Sequence, residues 1–138
     1  MVDDNEYYAY FSLNGSFGPA DITARVGVEP TKCWRQGDTC PQTLRERNSD
    51  RWCLYSRLGR DQTLEAHIVD VLAQLDANSQ AFRAVTQEFG GTMQLVGYFF
   101  REYPGLQFER TVTDGLARYS LAVDFDFYWL YSNHREDT

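Results

Sequence analysis

Residues 51–76 read RWCLYSRLGRDQTLEAHIVDVLAQLD, and two periods meet inside them. In RWCLYSRL, residues 51–58, Trp52, Leu54 and Leu58 fall on one side of a period of two, and Arg51, Cys53, Tyr55 and Arg57 fall on the other. That is a strand with one buried face and one polar, basic face. In TLEAHIVDVLAQLD, residues 63–76, Leu64, Ile68, Val71, Leu72 and Leu75 share one face of a helix that Thr63 or Asp61 can cap. A half-buried strand followed by a helix with one apolar stripe calls for two layers around one core.

The rest of the chain extends the pattern in both directions. EYYAYFSLNG, residues 6–15, reads as a strand, and GPADITARVG, residues 18–27, as a short helix that starts at a proline and stops at a glycine. Residues 29–50, EPTKCWRQGDTCPQTLRERNSD, read as one long irregular connection with a mobile tip at 38–50. After the helix, Asn78-Ser79 interrupts before QAFRAVTQEF, which Gly90-Gly91 ends. TMQLVGYFF (92–100) is a strand, TVTDGLARYS (111–120) a weak helix, and LAVDFDFYWLY (121–131) a strongly alternating strand. The expected fold is α+β in two layers: one mixed or largely antiparallel sheet of four to five strands, with two to three helices packed on one face. One domain over 1–138 is expected, with its folded core at 6–131 and a frayed tail at 132–138.

The 138 residues are 43% hydrophobic and carry a net charge of −7, unevenly spread. Residues 25–60 hold eight cations against four acids, and the segments on either side are acidic. An acidic chain is a poor general binder of nucleic acid, because counterion release needs a basic surface. No apolar run reaches the ~20 residues of a membrane helix. The acidic start MVDDNEYY differs from a secretory signal, and the odd number of cysteines (Cys33, Cys40, Cys53) argues for free thiols. A cytoplasmic protein, monomer or homodimer, without membrane or nucleic-acid partners is expected.

The segments YYAYFSLNGSFGPADITARVGVEPTKCWRQGD, RWCLYSRL, TLEAHIVDVLAQL and VDFDFYWL together resemble the bacterial domain-of-unknown-function family numbered 4279, over about Tyr7 to Leu130. Phe11 with Gly15, Ile22-Thr23, Gly27, Pro30-Thr31, Trp34, Gly37-Asp38, Trp52 with Ser56, and Leu64-Glu65 before His67 carry the likeness. The resemblance implies a small single domain, and no reaction, cofactor or catalytic residue comes with it.

Each candidate site has a plainer reading beside it. Trp34, with Lys32, Arg35 and Asp38, makes either a pocket for an anionic or planar ligand or a staple that folds the indole over the short helix. The cysteine spacings do not match a zinc site, so no metal site is assigned and no cofactor is expected. Cys33 beside Lys32 and Arg35 is a candidate thiolate, with His67 the available base; His67 also reads as a seam histidine bonded to a neighbour. Asp124 and Asp126 share a strand face about 6.5–7 Å apart. They suit ion pairing with Arg51 and Arg57, a binding surface, or acid–base work. Val123, Phe125, Phe127 and Trp129 then face the core.

If the helices cover one sheet face, the other presents Tyr8, Tyr10, Arg51, Tyr55, Arg57, Asp124, Asp126 and Tyr128. Tyrosine and arginine are enriched at interface hot spots. A non-catalytic protein-binding module is therefore the leading reading. A small-ligand or metal-binding domain comes next, and an enzyme using Asp124/Asp126 or Cys33/His67 after that.

Overall fold

Alternation along the first strand sorts the molecule into two sides. In β1 (Glu6–Gly15), Tyr7, Ala9, Phe11 and Leu13 are buried on one side, while Tyr8 and Tyr10 lie half-buried on the other. The computed structural model describes residues 4–101 and 104–130. β1 is the centre of the sheet, antiparallel to both β3 (Asp50–Tyr55) and β4 (Thr92–Phe99). β2 (Lys32–Trp34) runs antiparallel to β3 at one edge, and β5 (Ala122–Trp129) runs parallel to β4 at the other. The result is one mixed five-stranded sheet in the order β2-β3-β1-β4-β5.

The helices are α1 (Pro19–Val26), α2 (Leu64–Asp76), α3 (Ser79–Phe89) and α4 (Arg110–Arg118). Their buried residues, Ile22, Val26, Ile68, Leu72, Leu75, Phe82, Val85, Val112 and Leu116, join Phe11, Trp52, Met93 and Leu95 of the sheet in one apolar cluster. All four helices therefore lie on one face, and the fold is the expected α+β with four helices in place of two to three. The fourth is the crossover that a parallel β4–β5 pair requires.

Local chemistry sets the ends of α1 and α2. Pro19 opens α1, and Gly27, at φ 72°, closes it in the left-handed region with its N–H bonded to the Thr23 carbonyl. Thr63 caps α2, its hydroxyl accepting the Ala66 N–H at 3.1 Å. Asn78 breaks the helical run and donates from Nδ2 to the Val26 carbonyl at 2.7 Å, which locks the end of α1 to the α2–α3 corner. At Gly115 a Cβ would come within 2.7 Å of Leu72, so α4 sits as close to α2 as a bare backbone allows.

Three expectations are corrected. The connection at 29–50 contains the short edge strand β2, which a three-residue pairing is too brief to announce. Its remainder doubles back on itself: Thr39 bridges Glu46, and the Arg47 N–H donates to the Asp38 carbonyl at 2.7 Å. Second, Trp34 is not the staple over α1. That place belongs to Trp52, which is 0% exposed, lies edge-on to Phe11, and donates its indole N–H to Thr23 Oγ1 at 3.0 Å.

Third, the apolar row of β5 lies on the helix side, aligned with Met93, Leu95, Gly97 and Phe99 of β4, but most of it is not buried. Phe127 packs on the core, whereas Val123, Phe125 and Trp129 stay 39%, 55% and 54% exposed. The physical cause is position: β5 is the sheet edge, and α4 packs down on Leu72 of α2. Among the described residues no helix is long and apolar enough to cross a membrane. The tail at 132–138 lies outside the described residues.

Candidate functional site: the uncovered sheet face

The face opposite the helices is assembled from alternate residues of all five strands. The register aligns Tyr10 with Tyr55 and Gln94, Tyr8 with Val96, Tyr98 with Tyr128, and Trp34 with Arg51. Ser12, Cys53, Gln94 and Val96 form its floor and are buried, at 2%, 2%, 8% and 1% exposure. What roofs them is a row of tyrosine rings. Tyr55 stacks on Tyr10 at 4.3 Å and on Tyr8 at 5.9 Å, Tyr8 approaches Tyr98 at 6.4 Å, and Tyr98 stacks on Tyr128 at 5.1 Å. Burial raises the pKa of Tyr8, Tyr10 and Tyr55; for Tyr8, with Tyr98 adding to it, the value is pushed up to about 12.

Among the described residues, unpaired cations gather at one end of this row and aspartates at the other, with Arg60, paired with Glu6, lying 4.9 Å over Tyr8 and 5.4 Å over Tyr98 between them. At the β2–β3 end the Arg47 guanidinium lies 3.6 Å from the centre of the Trp34 ring, with Arg51 at 5.5 Å from the same ring and 5.9 Å from Tyr10. Lys32 sits 5.2 Å over Tyr55. Cation–π contact is worth ~0.5–1 kcal/mol at exposed sites and more when desolvated. None of these three cations forms a salt bridge among the described residues, whereas Arg25, Arg57, Arg60, Arg101 and Arg118 each do. Arg51 also keeps its Nε buried without a hydrogen-bond partner among the described residues. Trp34, Arg45, Arg47, Arg51, Asn48 and Ser49 line a cavity of about 260 Å³ beside them.

The β5 end carries Asp124, which is exposed, and Asp126, which is half-buried. Tyr128 donates its hydroxyl to Asp126 at 2.8 Å, which raises the Tyr128 pKa. From β3 to β5 is three strand spacings, ~14 Å at ~4.8 Å each. Arg51 cannot reach across that span, so ion pairing of Arg51 and Arg57 with Asp124 and Asp126 does not occur. Arg57 lies off this face altogether. β3 ends at Tyr55, and Arg57 turns to Asp70 of α2, with Nη2 at 2.7 Å and its own N–H at 2.8 Å.

The remaining candidates are dispersed. Asp38 accepts the Arg35 N–H at 2.8 Å, so both residues belong to a turn. His67 is fully buried, paired through Nδ1 with Ser56 Oγ at 2.6 Å, and burial lowers its pKa. Cys33 is exposed on the edge strand, so the structure does not assemble a Cys33/His67 pair. The thiol with a lowered pKa is Cys40. The Thr43 hydroxyl and the N–H groups of Thr43 and Gln42 bring it to about 7. No three metal-ligating side chains gather among the described residues.

Sequence reading missed Tyr98, Arg47 and Asp50. Tyr98 lies in an apolar stretch with aromatics in both registers. Arg47 sits in a loop with no period to place it. Asp50 accepts the Phe17 and Gln36 N–H groups at 2.8 and 2.7 Å, tying the loop back to the start of α1, and no local pattern marks that link.

A mixed sheet with helices on one side and a charge-sorted aromatic face on the other defines a two-layer α+β domain with an open sheet. The chain belongs to the family described as Domain of unknown function (DUF4279), which it matches over residues 5–130. Neither the curated proteins nor the solved structures give a match.

Proposed function

We propose that this chain is a non-catalytic protein-binding module that takes its partner on the open sheet face. One observation carries the reading: among the described residues, Lys32, Arg47 and Arg51 are held on aromatic rings without a carboxylate partner, beside a row of tyrosines that no helix covers. Stacking on aromatic rings limits the movement of these cations, so a partner's carboxylates lose less entropy in meeting them. Tyrosines supply large contact area at low conformational cost.

The partner fitted by this face is a protein segment with carboxylates for the Trp34–Arg47–Arg51 end and a cation for Asp124 and Asp126. Those same carboxylates oppose a phosphate backbone along the face, which disfavours nucleic acid. The position of Asp124 and Asp126 on an open sheet face, with Asp124 exposed, favours binding over acid–base catalysis, which works best from a cleft. Three free cysteines accord with a reducing, cytoplasmic setting.

The test is a tagged pull-down at low and high salt, repeated with Arg51→Gln and Tyr55→Ala. A stoichiometric protein partner that is lost at high salt and with either variant supports the proposal. A partner retained by both variants places binding elsewhere and ends it.

A further inference from the structure

The cations at the basic end of the open face are held in place and left without neutralising charge. The Arg47 N–H donates to the Asp38 carbonyl at 2.7 Å, and the Arg47 carbonyl accepts the Gly37 N–H at 2.9 Å, so its backbone is pinned on both sides. Arg51 belongs to β3, and both guanidiniums lie against the one Trp34 ring. The nearby aspartates of the loop are committed to backbone groups: Asp38 accepts the Arg35 N–H, and Asp50 accepts those of Phe17 and Gln36. Two like charges at one ring repel each other, and a carboxylate between them relieves that repulsion.

The cavity beside them says what kind of carboxylate fits. Its volume, about 260 Å³, lies below the ~300 Å³ at which pockets for whole small ligands begin, and leaves room for one side chain. Arg45, Arg47 and Arg51 line it, and Glu46 is the one acid among its described lining residues. The guanidinium forks match a planar carboxylate. Glu46 opposes a dianionic phosphoryl group more than a singly charged carboxylate, and its oxygens suit the backbone N–H that accompanies a carboxylate in a peptide.

A second anchor stands at the other end of the face. Asp124 is exposed and forms no salt bridge among the described residues. The register measures the gap between the two. Arg51 pairs with Asn14, and Asp124 aligns with Gln94, which pairs with Tyr10. The anchors are thus three strand spacings apart across the sheet and four residues apart along it, a diagonal of about 20 Å. An extended peptide rises ~3.3–3.4 Å per residue, so about six residues cover that distance.

We infer that the open-face partner is an extended peptide segment carrying a carboxylate and, about six residues away, a cation, with the carboxylate in the Arg47–Arg51 cavity and the cation on Asp124. This rests on the open-face reading and gives it a partner chemistry.

The test is an amide NMR titration of the labelled full chain, whose spectrum also shows that each variant is folded. The probes are two capped Gly/Ser peptides, one with Asp and Lys at that spacing and one with them adjacent, and inorganic phosphate. The spaced peptide should shift amides at 45–51 and 122–126 with one midpoint and bind about tenfold more tightly than the adjacent one, because its second contact is intramolecular. Arg47→Gln should weaken it about tenfold, and Asp124→Asn should remove the shifts at 122–126. Equal binding of both peptides, or no shift at 45–51, overturns the inference. Phosphate that moves 45–51 as strongly as the spaced peptide also overturns it, by making the cavity a site for free oxyanions. A pull-down partner lost with Tyr55→Ala but kept with Arg47→Gln and Asp124→Asn ends this inference and leaves the open-face reading standing. Peptide binding as expected, with the pull-down partner kept by Tyr55→Ala and Arg51→Gln, counts against the open-face reading alone.

Discussion

The two faces of this sheet are made by alternate residues of the same strands, yet they solve opposite problems. On the helix side, Phe11, Trp52 and Phe82 are 0% exposed and meet edge-on or tilted, as rings do when they fill a volume. On the open side, Tyr10 and Tyr55 lie nearly parallel, 8° apart, as rings do when they cover a floor and leave one face to solvent. The closed face stores stability. The open face stores accessible aromatic and cationic surface.

The largest expected contrast is in stability. Trp52→Ala should cost ~3–5 kcal/mol in urea denaturation, since it removes a fully buried ring and its bond to Thr23. Tyr10→Ala should cost only ~1 kcal/mol, the scale of one aromatic contact. Equal losses would mean that the tyrosine row is a second core.

The second contrast is in alkali. Tyr8, Tyr10 and Tyr55 have pKa values raised in the fold, so the stability linked to them is fully present below pH ~10 and is lost as pH rises through the folded values. Tyrosinate absorbance should develop for Tyr8 only near pH 12 while the chain is folded, and at lower pH once urea unfolds it. Normal titration of all the tyrosines in the folded chain would break the comparison.

At the acid end, burial works to raise the pKa of Asp70, but the Arg57 side-chain and backbone hydrogen bonds outweigh it and hold it below the usual range. Its contribution is present above pH ~4 and is lost as pH falls through the folded value. Asp70→Asn should therefore flatten the acid limb of a stability profile. The smallest effect is chemical. Cys40 and Cys53 are both buried, but near neutral pH iodoacetamide should modify Cys40, whose pKa is lowered to about 7, before Cys53, whose pKa burial raises, and Thr43→Ala should slow the Cys40 reaction.

Much of this was legible in the sequence because it was local. The period of two in 51–55, the 3.6-residue stripe of α2, Thr63 as a cap and Gly27 as a stop are each encoded within a few residues. Tyr8, Tyr10, Arg51, Tyr55, Asp124, Asp126 and Tyr128 were assignable to one face by parity alone. Strand order was not. Whether Arg51 meets Asp124 depends on how many strands stand between them, and alternation says nothing about neighbours. The β5 overhang failed for a related reason: Val123, Phe125 and Trp129 have the spacing of a core row, but burial also needs a helix above it. Arg57 fell one turn past the end of its strand, where a hydrogen bond to Asp70 outranks the period.

The central claim is that the open face is the working surface. The most direct measurement is an amide NMR titration of the labelled chain with its captured partner. The account predicts shifts concentrated at 8–12, 32–34, 51–55 and 124–128, with the helices silent. Shifts concentrated on α1 to α4, with those strands unmoved, would contradict it.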